Sequence, residues 1–427
     1  MREQLKIMVV GNGGRENAIG SRIKNFNPEG RQLFYATNNG RAIMEGERIS
    51  LDPLDTDGIR REAFNRKVSL VIPPGEKTLA AGVVDGLRRD GVLAIGPTAD
   101  QARLEASKIY FQNLVEHLNI PAPRGFIPRT VEEALVFAQN PLWEYVIKAD
   151  GLAEGKGVFL PESSGEAQKI IRDLMQEGKL GDAGRKIVLQ QRLYGVEESL
   201  TALVSGSNVV VFPKTYDNKR LLEGDKGPNT GGMGAIVTNE FPSLKTVKTF
   251  IQPIADFFAT NGNPFHGFIY PQLIHTPNGT FVLEYNLRPG DPEFQAQLQK
   301  LDSDLYPVLK KTADGTLSKN DVGFGPGAVV NIVLAARGYP QNPQGGDKIF
   351  GLERRYGLPT SIVHAGTVQS DDGYKTDGGR VLNVISRGNH VVDAGERAYK
   401  AIGENAIHFQ DMQYRRDLVA KFRKGHK

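Results

Sequence analysis

The stretch from Phe281 to Gln295, FVLEYNLRPGDPEFQ, holds the residues best spaced for chemistry. Glu284 and Asn286 stand two apart in a segment that reads as a strand, so their side chains share a face. Two oxygen donors side by side suit a hard divalent cation that keeps waters and phosphate oxygens as its other ligands. Arg288 continues that face and offers a fork for a carboxylate. An exposed polar face is the plainer reading, but Val282 and Leu283 make the strand look buried, and a buried acid needs a partner. A second candidate is VIKADGLAEGKGV, Val146 to Val158, where Lys148 lies on a strand and Gly151, Gly155, Lys156 and Gly157 follow in a loop. Glycines lack the Cβ that would keep backbone N–H groups away from phosphates, and a lysine adds charge. The Gly-Lys-Ser/Thr spacing of a P-loop is absent, and a flexible hairpin tip fits the same letters.

Two further glycine-rich segments stand out. In VVGNGGRENA, Val9 to Ala18, a strand runs through Gly11, Gly13, Gly14 and Arg15 into a helix, whose N-terminal amides attract anions. It falls short of a dinucleotide fingerprint, because Glu16 takes the place of the third glycine and no acid follows at the usual distance. A tight turn without a ligand is the alternative. In KTYDNKRLLEGDKGPNTGGMGA, Asp217, Lys219 and Arg220 precede Asp225 to Ala235, a run of eleven residues with four glycines and one proline. That run has no hydrophobic period and reads as a mobile loop, either solvated at the surface or lining a site.

These segments need a scaffold. KIMVV, LFYAT, VSLVIPP and VLAIGP read as strands, alternating with helices over Arg15 to Lys24 and TLAAGVVDGLRR. Such alternation predicts a parallel sheet with helices on both faces. A proline-bounded helix, GPTADQARLEASKIYFQNLVEHLNIPAP, marks a boundary. Strands and helices around the glycine loop fill 121–188, a strand-rich part with the helix LKTVKTFIQPIADFFAT follows, and a mixed segment closes the chain from 326. With 427 residues the chain is long for one core. Lys and Arg number 53 against 49 Asp and Glu, a net charge of +4 that is too small and dispersed for nucleic acid but suits anionic small molecules. There is no cysteine, hence no disulfide frame, thiolate metal site or cysteine nucleophile. No signal-peptide pattern opens the chain and no apolar run approaches the roughly 18 residues a membrane span requires. The expectation is a soluble cytoplasmic protein with no membrane or nucleic-acid partner.

Taken in order, the segments resemble one family. GNGGRE, GPTADQARLEASK, KADGLAEGKGV, GDKGPNTGGMGA and GDPE, with HAGT, GGRVLNV and MQYRRD near the end, are similar to the motifs of the phosphoribosylamine–glycine ligases, ATP-grasp enzymes of de novo purine synthesis, over nearly the whole chain. The resemblance implies an α/β chain with an N-terminal Rossmann-like domain over 1–103, an ATP-grasp domain over 104–325 with 121–188 as its small lid, and a small α+β domain over 326–427. It implies that ATP phosphorylates glycine and that the amine of 5-phosphoribosylamine displaces phosphate. Lys108 and Lys148 would then hold the nucleotide phosphates, with Gly155, Lys156 and Gly157 closing over them. Leu189 or its neighbours would meet adenine through backbone groups, and Glu197 the ribose. Glu284 and Asn286 would bind Mg²⁺ or Mn²⁺. Asp217 and Arg288 would hold the two ends of glycine, with Lys219 beside them. Gly11, Gly13, Gly14, Arg15 and Glu76 would face the phosphoribosyl group, and Asn229, Thr230, Gly231 and Gly232 would line the substrates. The expected assembly is a monomer or weak homodimer.

The chain departs from the family pattern at Asn17, in place of a histidine, and at Gly75, Gln190, Gln191, Val196, Asn218 and Pro289. Asparagine cannot titrate as histidine does, although it can still donate a hydrogen bond. These departures leave open a diverged ligase for another amino acid or amine. A nucleotide-binding scaffold has no need of Lys148, Glu284, Asn286 and Arg288 together, and a dehydrogenase would bind NAD(H).

Overall fold

The computed structural model describes residues 4–140, 144–152, 157–354, 356–357 and 359–423. Its first part is a parallel sheet in the order Glu47–Ile49, Arg31–Ala36, Leu5–Val10, Leu70–Ile72. The apolar run IMVV is buried on both faces, as a parallel strand between helices must be. Helix Gly14–Phe26 follows the first strand, and helix Thr56–Asn65 starts where Asp55 accepts the amide of Gly58 at 2.8 Å.

Three expected helices are broken, each for a local reason. Gly82 at φ +81 splits TLAAGVVDGLRR into Glu76–Ala80 and Val83–Arg89. Ile251 separates Leu244–Phe250 from Gln252–Thr260, where Pro253 sits in the first turn. Ser107, at φ −117 and ψ 117, ends Ala99–Ala106 and caps Lys108–His117, accepting the amide of Tyr110 at 3.0 Å. Its hydroxyl also donates to Asp150 at 2.7 Å, so the break ties Lys108 to the end of the strand that carries Lys148. VLAIGP forms only an isolated bridge, Ala94 to Val71.

A four-stranded antiparallel sheet, in the order Gly125–Phe126, Ile187–Gln191, Tyr145–Ala149, Val158–Phe159, packs with helices Val131–Phe137 and Ser164–Met175 around its own core. The largest sheet has ten strands. Its long strand His266–Thr276 pairs with Gly279–Asn286 on one edge and with Val196–Ser199 and Ala202–Ser205 on the other. Beyond Thr215–Asp217 and Gly234–Val237 it continues into Ala328–Ala335, Arg380–Gly388 and Thr360–His364. All eight residues AVVNIVLA of Ala328–Ala335 are buried, each large apolar side chain there contributing about 1.5–3 kcal/mol. The polar exception, Asn331, donates to Pro292 O at 2.9 Å and to Asn383 Oδ1 at 3.1 Å, fastening the GDPE turn to this sheet. Among the described residues, no helix is long and apolar enough to cross a membrane.

The glycine run 225–235 is not an open loop. Lys226–Asn229 pairs with Arg220–Leu222 as a hairpin, and Gly234–Val237 is a buried strand of the large sheet. Gly232 shows what the glycines do. Its φ is +112, and a Cβ there would lie 2.4 Å from Pro292 Cδ and 3.0 Å from Asp217 Oδ1. The residue is glycine because the backbone passes directly against the site.

Candidate active site

The small antiparallel sheet and the large sheet face each other across a cleft of about 990 Å³. Lys148 reaches into it from the small sheet and Glu284 from the edge of the large one. Lys148 Nζ donates to Leu283 O at 3.1 Å, and Lys108 Nζ pairs with Glu284 Oε2 at 3.2 Å. Lys219 stands opposite. Gln272, its amide oriented by its neighbours, donates to Glu284 Oε1 at 3.0 Å and accepts from Lys219. One carboxylate thus sits among the ammonium groups of Lys108, Lys148 and Lys219. Burial opposes its ionisation, yet these cations hold it at about 2, well below its usual 4.5. Burial pulls Lys148 down to about 8, with Glu284 opposing. Burial also works against the charge of Lys219, but Asp217, Glu197 and Glu284 together raise its pKa. The cluster has more positive than negative charge, as a polyphosphate site should.

Asn286 ends its strand and Arg288 lies two residues beyond it, its Nη2 donating to Asn286 Oδ1 at 3.3 Å. Glu284 and Asn286 offer two hard oxygen donors, and no group of three His, Cys, Asp or Glu forms a metal cage among the described residues. That donor set fits a divalent ion completed by water and phosphate oxygens, as Mg²⁺ prefers. Arg288 pairs with Glu76 Oε2 at 3.2 Å and with Glu105 Oε1 at 3.2 Å. Burial works against its charge, but Glu105 and Glu76 push its pKa further up. Glu105 is held in turn by the amide of Leu287 at 2.7 Å. Asp217 accepts the amide of Asn218 at 2.7 Å. Burial, reinforced by the nearby charge of Glu293, pushes Asp217 up to about 8.

Leu189 or its neighbours are expected to meet adenine through backbone groups. The Leu189 side chain belongs to the core of the small sheet, and its strand is flanked by Gly125–Phe126 and Tyr145–Ala149. The cleft is lined instead by the residues that follow, Gln190 to Val196, with Tyr194 and Val196 exposed within it. Glu197 lines the same wall and pairs with Lys219 at 3.4 Å. Gly157 accepts the amide of Ala149 at 2.8 Å and closes the base of its loop, whereas Gly155 and Lys156 lie outside the described residues. Asn229 lines the far end of the cleft. Thr230 donates through both its amide and its hydroxyl to Lys219 O, at 2.7 and 2.8 Å.

The N-terminal glycine loop opens on a second, smaller cleft. Gly13 and Gly14 line it with Arg41, Asp291, Arg380 and Asn383. Gly11 holds φ +97 at the loop's start. Arg15 pairs with Glu16 at 3.0 Å and donates to Pro289 O at 3.0 Å, linking this loop to the segment that carries Arg288. Glu16 Oε2 folds back so closely that a Cβ on Gly13 would lie 2.6 Å from it. Arg380 donates to Gly231 O and Asp291 O, both at 2.6 Å, and pairs with Asp291 Oδ2 at 3.2 Å. Glu105, Gln272, Glu293 and Arg380 were not singled out from sequence, although all but Gln272 lie inside the quoted motifs LEASK, GDPE and GGRVLNV.

The family departures fall into two kinds. Asn17 is fully buried; its Nδ2 donates to Asn12 O, Ala42 O and His364 O, and its Oδ1 accepts the amide of Met44. It works as a fastener of three segments and needs no titration. Asn218 is buried against Gly234, Pro289 O receives Arg15, and Gly75 caps the helix Glu76–Ala80. Gln190, Gln191 and Val196 line the cleft itself.

The chain matches models for the N domain (residues 5–105), the ATP-grasp (A) domain (106–294) and the C domain (329–421) of phosphoribosylglycinamide synthetase. It is 34% identical over 427 residues to a phosphoribosylamine–glycine ligase of Rhodopirellula baltica, covering 97% of each chain. It is 36% identical over 423 residues to that of Escherichia coli, covering 97% of this chain and 98% of the relative. A crystal structure of phosphoribosylamine–glycine ligase from Thermotoga maritima superposes with a TM-score of 0.82 at 30% identity, over 97% of this chain and all (100%) of that one. A biotin carboxylase domain from Hydrogenobacter thermophilus, solved with MgADP, shares the fold alone, with a TM-score of 0.72 at 17% identity over 97% of this chain and 92% of that one.

Proposed function

We propose roles for the residues of the cleft from the premise that this chain belongs to the phosphoribosylglycinamide synthetase family. It is an ATP-dependent carbon–nitrogen ligase that joins glycine to phosphoribosylamine in purine biosynthesis, and it uses ATP with a divalent metal. In the reading we favour, a glycine carboxylate oxygen takes the γ-phosphoryl group of ATP, leaving ADP. The amine of phosphoribosylamine then attacks the acyl carbon, and inorganic phosphate and a proton leave. Such chemistry depends on holding the reactants in line and neutralising charge where it develops.

Lys108 and Lys148 hold the phosphates, with Lys219 on the opposite wall. Glu284 and Asn286 hold Mg²⁺, or Mn²⁺ in its place, and a metal bound there would screen the phosphate charge. Adenine lies against Gln190 to Val196, and Glu197 takes the ribose hydroxyls. Arg288 forks the glycine carboxylate and Asp217 takes the ammonium. The phosphoribosyl group lies in the smaller cleft over Gly11 to Arg15, with Arg41 and Arg380 near its phosphate and Glu76 near its amine end. Asn229 to Gly232 run between the two clefts. The domain division is 1–103, 104–325 with 121–188 as lid, and 326–427. The working form is a cytoplasmic monomer or weak homodimer, and the absence of cysteine suits a reducing compartment.

The single observation that carries the reading is the carboxylate of Glu284 among Lys108, Lys148 and Lys219, on the strand that ends two residues before Arg288. The test is Arg288→Lys, which keeps charge and loses the fork. The KM for glycine should rise about tenfold or more while that for ATP moves little. Equal rises for both substrates would remove Arg288 from the glycine site.

A further inference from the structure

The motif QYRRD, Gln413 to Asp417, holds Arg415, which lies 190 residues from its partner Asp225 in sequence, and no role above uses it. Arg415 is nonetheless one of the most enclosed charged side chains, 3% exposed. Its Nη1 donates to Asp225 Oδ1 at 3.0 Å and to Arg220 O at 3.1 Å. Its Nε and Nη2 fork Asp417, the second contact at 2.8 Å, and Asp417 Oδ2 accepts the amide of Gly224 at 2.8 Å. Arg415 and Asp417 thus grip the turn of the hairpin Arg220–Leu222/Lys226–Asn229 at three points: Arg220 O, the Gly224 amide and the Asp225 side chain. Asp225 itself sits at φ +54, a left-handed conformation costly for most residues.

The gripped carbonyl is that of Arg220, and the carbonyl before it, that of Lys219, receives both donors of Thr230. Two consecutive peptide groups are therefore fixed, one from the C-terminal segment and one from the glycine run. The first of these peptide groups follows the Cα of Lys219, whose side chain lies in the cleft next to Gln272, Glu284 and Asp217. We infer that Arg415 is a positioning residue for the ligase reaction: through Asp225, Asp417 and the Arg220 carbonyl it sets the height of the hairpin and so the place of Lys219 over the reacting phosphate. The inference rests on the reading of the cleft given above. A guanidinium suits the task because its planar fork takes Asp417 on one edge while Nη1 reaches the hairpin, which an ammonium cannot do.

The experiment uses the full-length protein and four variants: Arg415→Ala, Arg415→Lys, Asp225→Asn and Lys219→Met. Steady-state kcat and KM are measured together with binding of Mg-ADP and amide hydrogen exchange. Displacing a catalytic group by about 1 Å can cost about a hundredfold in rate. Arg415→Ala should lose at least about tenfold in kcat, with Mg-ADP affinity within about threefold of wild type and faster exchange confined to 219–231. Arg415→Lys should recover only part of the loss. Asp225 is 71% exposed and asparagine tolerates its backbone angle, so Asp225→Asn keeps the fold and should show a smaller kcat loss of the same kind. If Arg415→Ala does not fold, Asp225→Asn decides the matter. Wild-type kcat in a folded Arg415→Ala or in Asp225→Asn, while Lys219→Met is inactive, would overturn the positioning role alone. A fully active Lys219→Met would overturn the reading of Lys219 and this inference with it. A loss of turnover proportional to unfolded protein, with exchange raised throughout, would reduce Arg415 to general stability and overturn the inference.

Discussion

Replacing Glu284 by glutamine keeps the shape of the side chain and removes its charge. The carboxyl is held at about 2 in the folded protein against an ordinary 4.5. At about 1.4 kcal/mol per pKa unit, that difference is worth about 3 kcal/mol of favourable interaction with Lys108, Lys148 and Lys219. Removing one partner from an enclosed cluster of charges has a cost of the same order, about 3–5 kcal/mol. Because the folded-state pKa lies below the unfolded one, the stabilisation is complete above pH 4.5 and is lost as pH falls through about 2. Urea unfolding followed by circular dichroism should therefore find Glu284→Gln less stable than wild type by about 3 kcal/mol at neutral pH, narrowing to about 2 kcal/mol near pH 3.5. The same variant should lose turnover at saturating Mg²⁺, because it removes the stronger of the two proposed metal donors. Unchanged stability together with wild-type turnover would refute both the electrostatic argument and the metal assignment.

Other consequences concern protons. Lys148, drawn down to about 8 by burial, should lose charge as pH rises past that value, so Mg-ADP affinity should weaken above it. Lys148→Met should flatten that decline, and an affinity constant to about pH 9.5 in the wild type would exclude Lys148 as a phosphate ligand. Asp217, raised to about 8 by burial and Glu293, is largely protonated at neutral pH and should ionise when it takes the ammonium of glycine. Calorimetry in two buffers of different ionisation heat, with Mg-ADP present, should then show release of up to about one proton per glycine bound. That release should vanish in Asp217→Asn; glycine binding without proton release in the wild type would free Asp217 from this role.

The framework was legible in the sequence where local signals decide it. The apolar run before Gly11 makes a buried strand, and Glu284 and Asn286 lie two apart on a strand as their spacing predicts, although that strand ends before Arg288. It was less legible where a continuous pattern hides a break. The apolar period of Ala99 to His117 runs straight through Ser107, and only its double use, capping one helix and bonding Asp150, reveals the corner. The glycine run reads as a mobile loop because glycine is as common in loops as in close approaches. Gly232 is there for the approach to Pro292 and Asp217, which depends on partners distant in the chain. A strand pattern also tells where the chain extends and not where it leaves its sheet, so the turn from Leu189 to the cleft-lining residues Gln190 to Val196 is not legible in it. The partners of Arg288 are out of reach for any local reading: Glu76 and Glu105 are separated from it by 212 and 183 positions.

The central claim is tested most directly by phosphate release from the purified protein with Mg-ATP, glycine and freshly generated phosphoribosylamine, each omitted in turn. Phosphate release that requires all three, matched by formation of glycinamide ribonucleotide, is the predicted result. Phosphate release that persists without glycine or phosphoribosylamine, or that starts only when another amino acid or amine is supplied, would contradict it.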